Sequence, residues 1–238
     1  MDEASDTHRL LIKISGEALK GDSPSGLSPS YLSGLGSSFK ELLGAGYELA
    51  VVIGGGNFFR GNLAPEVGMS QVEADQMGML ATVMNGIALK NLFHSIGLPA
   101  IHVSAYAIKG IAEPLPLSDC RGLLGEGRIL IFSAGLGRPF FTTDTAAVSR
   151  SLEIGARLLV KGTKVDGVYS ADPVKDPTAK RFSRLSYEDV ISNRLQIMDQ
   201  TAFTLAREYH LPIKVVNITD PTGLKTAIES PEIGTIIS

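Results

Sequence analysis

Apolar residues along this chain come in two rhythms. Short continuous runs, RLLIKIS (9–15), ELAVVI (48–53), AIHV (100–103), RILIFS (128–133), RLLVKG (157–162) and PIKVVN (212–217), alternate with longer segments of helical spacing. Continuous runs of this length predict strands buried on both faces. SPSYLSGLGSSFKELLGAG (28–46) predicts a helix, with Ser28 as cap and Pro29 at the first helical position. SQVEADQMGMLATVMNGIALKNLFHSIG (70–97) predicts a long one, with Ser70 and Glu73 at capping-box spacing and Gly97 at the stop. CRGLLGEG (120–127), TTDTAAVSRSLEIG (142–155) and MDQTAFTLAREY (198–209) predict three more, and a short helix and TIIS (235–238) close the chain. TKVDGVYSADPVKDPTAKR (163–181) is rich in Asp, Lys, Pro and Gly and reads as a long functional loop or small excursion. Strands separated by helices predict an α/β fold with a mostly parallel sheet covered on both faces. In such sheets ligands sit beyond the carboxyl ends of the strands.

The chain of 238 residues can bury one sizeable core, read here as a single domain over 9–238 behind a loose polar tail at 1–8. A formal net charge of -3 gives no basic footprint for nucleic acid. No run approaches the roughly 18 apolar residues of a membrane span, and MDEASDTHR lacks the basic-then-apolar order of a secretory signal. A single cysteine, Cys120, forms no internal disulfide framework and suits a reducing cytoplasm.

The candidate chemistry follows the strands. Lys13, Ser15 and Gly16 end the first run; Gly54, Gly55, Gly56, Asn57 and Arg60 follow the second; AGLGRPFFTTD (134–144) and TKVDGVYSADP (163–173) follow two others. Three adjacent glycines stabilise nothing by packing, so they mark an odd turn or a close approach. They read either as a strand-ending turn or as a floor of bare N–H groups under an anion, with Arg60 as counter-charge. Lys13 is a charge inside an apolar run, a costly placement unless it is used. Standard nucleotide motifs fail: Asp22 stands where a P-loop needs Lys after Gly16 and Gly21, and Phe140 where a G-x-G-x-x-G needs its third glycine. The four His are scattered, with no H-E-x-x-H.

IKISGEAL (12–19), VVIGGGNFFRG (51–61), DQMGMLATVMNGIAL (75–89), PFFTTDTAA (139–147) and TKVDGVYSADP (163–173) together resemble the bacterial uridylate kinases, the UMP kinases of the amino acid kinase family. Order and spacing match from about Leu10 to the end. The resemblance implies a three-layer α/β/α sandwich, a homohexamer in the cytoplasm, and transfer of the ATP γ-phosphoryl group to UMP in pyrimidine nucleotide synthesis. Such chemistry needs two phosphates held in line and charge on the transferred group stabilised. Mg²⁺ is implied with ATP, held mainly by phosphates, with no protein ligand named.

Carried over position by position, the resemblance places Lys13, Ile14, Ser15, Gly16, Gly56, Arg60, Thr163, Tyr169 and Asp172 on ATP. It places Gly55, Asp75 and the loop Leu136, Gly137, Arg138, Pro139, Phe140, Phe141, Thr142 and Thr143 on UMP, Asp75 taking the ribose hydroxyls. Lys13 and Arg60 are catalytic candidates. Asp144 either positions substrate or metal-bound water, or is a first-turn acid favoured by the helix dipole. Lys161 and Lys164 are equal candidates for a second cation. Gly21, Asp22, Ser23, Pro24, Ser25 and Gly26 match the family's allosteric loop, where GTP activates and UTP inhibition is a related expectation; a plain surface loop fits them equally well. The family's usual loop is close to G-T-G-N-P, whereas this chain has Gly135, Leu136, Gly137, Arg138 and Pro139, losing a hydroxyl and gaining a charge. MGML…VMNG (77–86) reads as helix core or subunit interface. The rivals are an acetylglutamate kinase, whose triple glycine is usually followed by Pro rather than Asn57, and a silent nucleotide or oxyanion binder on the same scaffold.

Overall fold

The computed structural model describes residues 8–61, 66, 68–173 and 175–238. The expected tail therefore lies, through residue 7, outside the described residues. His8 already belongs to the body: its carbonyl accepts from the Glu48 N–H, and its ring meets Tyr47 edge-on at 5.6 Å.

Ten strands and eight α-helices are described: β1 Arg9–Ile14, α1 Gly16–Leu19, α2 Pro29–Gly44, β2 Glu48–Ile53, α3 Gln71–Ser95, β3 Ala100–Ser104, α4 Leu117–Gly125, β4 Ile129–Ser133, α5 Thr143–Ile154, β5 Leu158–Thr163, β6 Val168–Tyr169, β7 Arg181–Phe182, β8 Arg184–Leu185, α6 Tyr187–Ser192, α7 Gln200–Glu208, β9 Ile213–Asn217, α8 Leu224–Glu229 and β10 Thr235–Ile237. The main sheet runs β3-β4-β2-β1-β5-β9-β10-β8, and β6 and β7 form a separate antiparallel hairpin. Its long strands are parallel; β10 runs antiparallel to β9, with β8 parallel to β10 beyond it.

The continuous apolar runs are explained by helices on both faces. Alternate residues of β1 and β2 point to opposite sides. Leu10, Ile12, Ile14, Leu49, Val51 and Ile53 pack against α2, α3 and α8, with Phe39 and Phe93 stacked at 4.9 Å between centroids. Leu11, Ala50 and Val52 face α4, α5 and α7. Each fully buried large side chain contributes about 1.5–3 kcal/mol. Lys13 shares the parity of Leu11, so it points to the α5 side.

Caps fall where the sequence places them. Ser28 accepts from Tyr31 N and Ser70 forms a capping box with Glu73, while Thr142 caps α5 by accepting from the N–H groups of Asp144 and Thr145. Helix α4 begins at Leu117, three residues before the expected start, because Pro116 occupies the cap and supplies no side-chain acceptor that would mark it. Of the two readings of 163–181, the small excursion is the one found: the segment carries β6 and the start of β7, which pair as a hairpin. Helices α1 and α6, of four and six residues, are too short to show a period. In α3 the apolar stripe divides: Met79 and Val83 are buried, whereas Met77, Leu80, Met84 and Ile87 form one exposed face at helical spacing.

Candidate active site

The triple glycine is a point of close approach. None of Gly54, Gly55 and Gly56 has a positive φ, so conformational freedom is not what demands them. Space is. A Cβ on Gly55 would lie 2.7 Å from the Gly78 carbonyl of α3, and one on Gly16 would lie 2.5 Å from the Gly56 nitrogen. The turns after β1 and β2 therefore touch backbone to backbone, joined by the Gly54 N–H donating to Ile14 O at 2.9 Å. Buried Asn57 and Asn85 exchange side-chain hydrogen bonds at 2.9 and 2.8 Å. Asn85 also donates to Gly54 O, and Asn57 to Gly26 O. The two amides fix the turn to α3 and to the 21–26 loop.

Beyond these turns stands a charged cluster. Lys13 and Lys161 are paired neighbours on adjacent parallel strands. Both point at Asp144 in the first turn of α5, Lys13 Nζ lying 3.0 Å from Oδ1 and Lys161 ion-pairing with Oδ2. Burial pushes the Asp144 carboxyl up, but Lys13 and Lys161 outweigh it and hold the group below the usual range. Burial, only partly countered by Asp144, pulls Lys161 down from the normal lysine range. Of the two lysine candidates, Lys161 belongs to the Asp144 cluster, and both Lys161 and Lys164 line the neighbouring cavity. Lys164 lies past the strand end and is exposed.

On one side of the cluster is a cavity of about 220 Å³ between α3, the glycine turn and the loop before α5. Gly55, Asp75, Arg138, Phe141, Thr142 and Thr143 line it together with Gly56. Leu136, Gly137, Pro139 and Phe140 do not. Leu136 packs against the core, and the Phe140 side chain is 70% exposed. The loop is held by three groups that sequence does not reveal as partners. Asp75 Oδ2 accepts from Phe140 N at 2.7 Å, where φ is +71°; Tyr106 Oη donates to Gly137 O at 2.9 Å; Thr142 Oγ1 donates to Asp199 at 2.6 Å. Gln71 donates to the other Asp75 oxygen. Asp199 also takes the Thr145 hydroxyl and caps α7. Its place before an apolar helical run was a readable cap signal; its bond to α5 was not.

On the other side are two cavities. One of about 430 Å³ is lined by Lys13, Ser15, Glu17, Lys20, Lys161 and Lys164, with Gly21 and Asp22 at its edge. The second, of about 420 Å³, combines Thr163, Tyr169 and Asp172 with apolar Val168 and Ile197 and with Asn193 and Gln196, a segment the sequence reading did not single out. Tyr169 Oη donates to Asp166 at 2.6 Å. Ile14 is buried, so its backbone carbonyl, already bonded to Gly54, is its only polar contribution there beyond its N–H. Arg60 pairs with Glu17 at 2.8 Å, and Glu17 is also 3.8 Å from Lys20, whose ammonium donates to Pro24 O. Ser23, Pro24 and Ser25 form the exposed crest of that loop, and Gly21 and Gly26 have φ of +54° and +84°. Among the described residues no group of three or more His, Cys, Asp or Glu could hold a metal ion, and both Asp144 oxygens are engaged by lysines.

A bipartite site with a cationic cluster at its junction, bare backbone turns and a helix N-terminus suits transfer of a charged group between two anions. Comparison with known proteins agrees with that chemistry. The profile of the amino acid kinase family matches residues 8–217. The chain is 48% identical over 230 residues to a uridylate kinase of Mannheimia succiniciproducens, covering 97% of each chain. Among solved structures it is similar to a UMP kinase from Bacillus anthracis, with TM-score 0.93 and 35% identity over 97% of this chain and 96% of that one. A UMP kinase from Ureaplasma parvum gives TM-score 0.92 and 31% identity over 98% and 100%.

Proposed function

The chain belongs to the amino acid kinase family, and from that premise we propose that it is a UMP kinase, transferring the γ-phosphoryl group of ATP to UMP to give UDP and ADP. The observation that carries this reading is the Lys13–Asp144–Lys161 cluster: its two lysines line one cavity, and Thr143, next to Asp144 at the start of α5, lines the α3-side cavity. UMP occupies the α3-side cavity, its phosphate on the backbone of Gly55 and on Thr142 and Thr143 at the start of α5, its ribose on Asp75. ATP lies opposite. Its base and ribose meet Thr163, Tyr169 and Asp172, and its phosphates meet Lys13, the backbone of Ile14, Ser15, Gly16 and Gly56, and Arg60.

A UMP phosphate oxygen attacks the γ-phosphorus as the bond to the ADP oxygen breaks. Negative charge spreads over the transferred oxygens in that transition state. Lys13 and Lys161 face that charge, and Asp144 holds both ammoniums in place rather than accepting a proton. Arg60 leaves or shares Glu17 to reach the phosphates. Mg²⁺ bound with ATP would supply charge neutralisation, and it would be held mainly by the phosphates rather than by this chain's carboxylates.

The finer readings belong to the same proposal. Residues 9–238 act as one domain in the cytoplasm. The exposed apolar face of α3 (Met77, Leu80, Met84, Ile87) supports assembly with further copies, read as a homohexamer. The 21–26 loop, hydrogen-bonded to the glycine turn through Asn57, supports control by GTP and, with it, by UTP. The test is ADP release from ATP and Mg²⁺ with UMP, CMP, AMP, acetylglutamate or no acceptor. Release with UMP alone is expected. Binding of ATP and UMP without release would make the chain a silent nucleotide binder, and release with acetylglutamate would move it elsewhere in the family.

A further inference from the structure

Arg138 departs from the loop that the resemblance gives as usual, and its surroundings give it a task. Among the described residues lining the α3-side cavity, only Asp75 and Arg138 carry charge. Without Arg138 the lining would present a net negative charge to an acceptor that is itself a dianion. The guanidinium is exposed and makes no ion pair or hydrogen bond among the described residues. The loop beneath it is fixed on both sides, by Tyr106 on Gly137 O and by Asp75 on Phe140 N, so the arginine is presented from a held backbone. Leu136, the companion departure, is turned toward the core and adds nothing polar to the cavity. Arg60, Lys13 and Lys161, which pair with Glu17 and Asp144, are not among the residues lining this cavity, so Arg138 is the cation that its lining presents.

We propose that Arg138 neutralises Asp75 and selects acceptors by anionic charge, strengthening binding of uridine mono- and diphosphate over uncharged uridine. This rests on the UMP kinase reading of the same cavity. A unit charge near a dianion, in largely hydrated surroundings, changes affinity by roughly tenfold. The effect grows with ligand charge, so the product UDP is held more tightly than UMP by the same group. It fades as the screening length falls from about 10 Å at 0.1 M salt to about 3 Å at 1 M.

The experiment is calorimetric titration of the full chain with UMP, UDP and uridine, for wild type, Arg138→Ala and Arg138→Lys, at about 0.1 and 1 M salt. The expected result is a loss of about tenfold for UMP in the alanine variant, a larger loss for UDP and none for uridine. Lysine should restore most of it, and high salt should erase it. Circular dichroism and ATP affinity check that the variants are folded. An equal loss for uridine, or failure of lysine to restore binding, would assign Arg138 to the base, the ribose or the loop, and overturn the proposal. Unchanged affinity in the alanine variant of a chain that binds UMP would overturn this inference alone. A wild-type chain that binds no UMP would overturn the kinase reading and this inference with it.

Discussion

Asp144→Asn isolates the central cluster. In the native chain one carboxylate faces two ammoniums, and the three side chains are 10–16% exposed. Asparagine keeps the shape and removes the charge, leaving two lysines facing each other around a neutral amide. Breaking a fully buried ion pair costs about 3–5 kcal/mol. Here residual exposure, and the ability of Lys161 to lose its proton, keep the cost nearer 3 kcal/mol. For a chain of this size each kcal/mol moves the melting temperature by about 2–4 °C, so a drop of roughly 6–12 °C is expected at neutral pH. The sign of its pH dependence follows from linkage. Lys161 is already lowered by burial, and without the carboxylate it falls further. The folded variant then binds fewer protons than the unfolded chain, so its stability rises with pH. Melting curves of both proteins from about pH 7 to about pH 10 should show the deficit narrowing. Phosphoryl transfer should fall by about a hundredfold or more. A melting temperature within about 2 °C of wild type, or a deficit that ignores pH, would refute the view that Asp144 holds both lysines.

Other consequences are as direct. Lys13→Ala should keep the fold and reduce transfer by about a hundredfold or more; near-normal turnover would remove Lys13 from the chemistry. Gly86→Ala would place a Cβ 2.2 Å from the His102 ring, which is itself tied to Ser133 at 2.7 Å, so about 1–3 kcal/mol should be lost in urea denaturation, and an unchanged midpoint would deny that contact. Burial, aided by Lys90, holds His102 down at about 4 from the usual 6.5. Between those values the unfolded chain binds more protons, so up to roughly 3 kcal/mol of stability should disappear as pH falls through that window. His102→Gln should flatten that profile in equilibrium unfolding, and an equally steep profile would place the acid sensitivity elsewhere.

Much of the site could be read before the fold. Lys13 announced itself as a charge in an apolar run, and the glycines as a place where chain meets chain. Asp144 offered two readings because its type and its helix position suit both. Only the β1–β5 register, which places Lys161 beside Lys13, shows it between two ammoniums. That register also separates Lys161 from Lys164, since strand neighbours far apart in sequence leave no local pattern. Asp199, Tyr106 and Glu17 went unmarked for the same reason: each acts through a partner dozens of residues away. The β6–β7 hairpin offers two residues per strand, too few for alternation to register. The reversal at β10 depends on direction, which side-chain patterning does not encode.

The place of β1 has a consequence for how the protein is made. It is synthesised well before β5, yet it lies in the interior of the sheet, with β2 on one edge and β5 on the other. Leu10 pairs with Leu49 early, but its second partner is Leu158. At about 5–20 residues per second, synthesis leaves that edge open for roughly 7–30 s. During this interval an apolar strand with free N–H and C=O groups is exposed to other nascent chains. Ribosome-associated holding factors, and codon choice before β5, should therefore influence the yield of this protein more than changes in its finished stability.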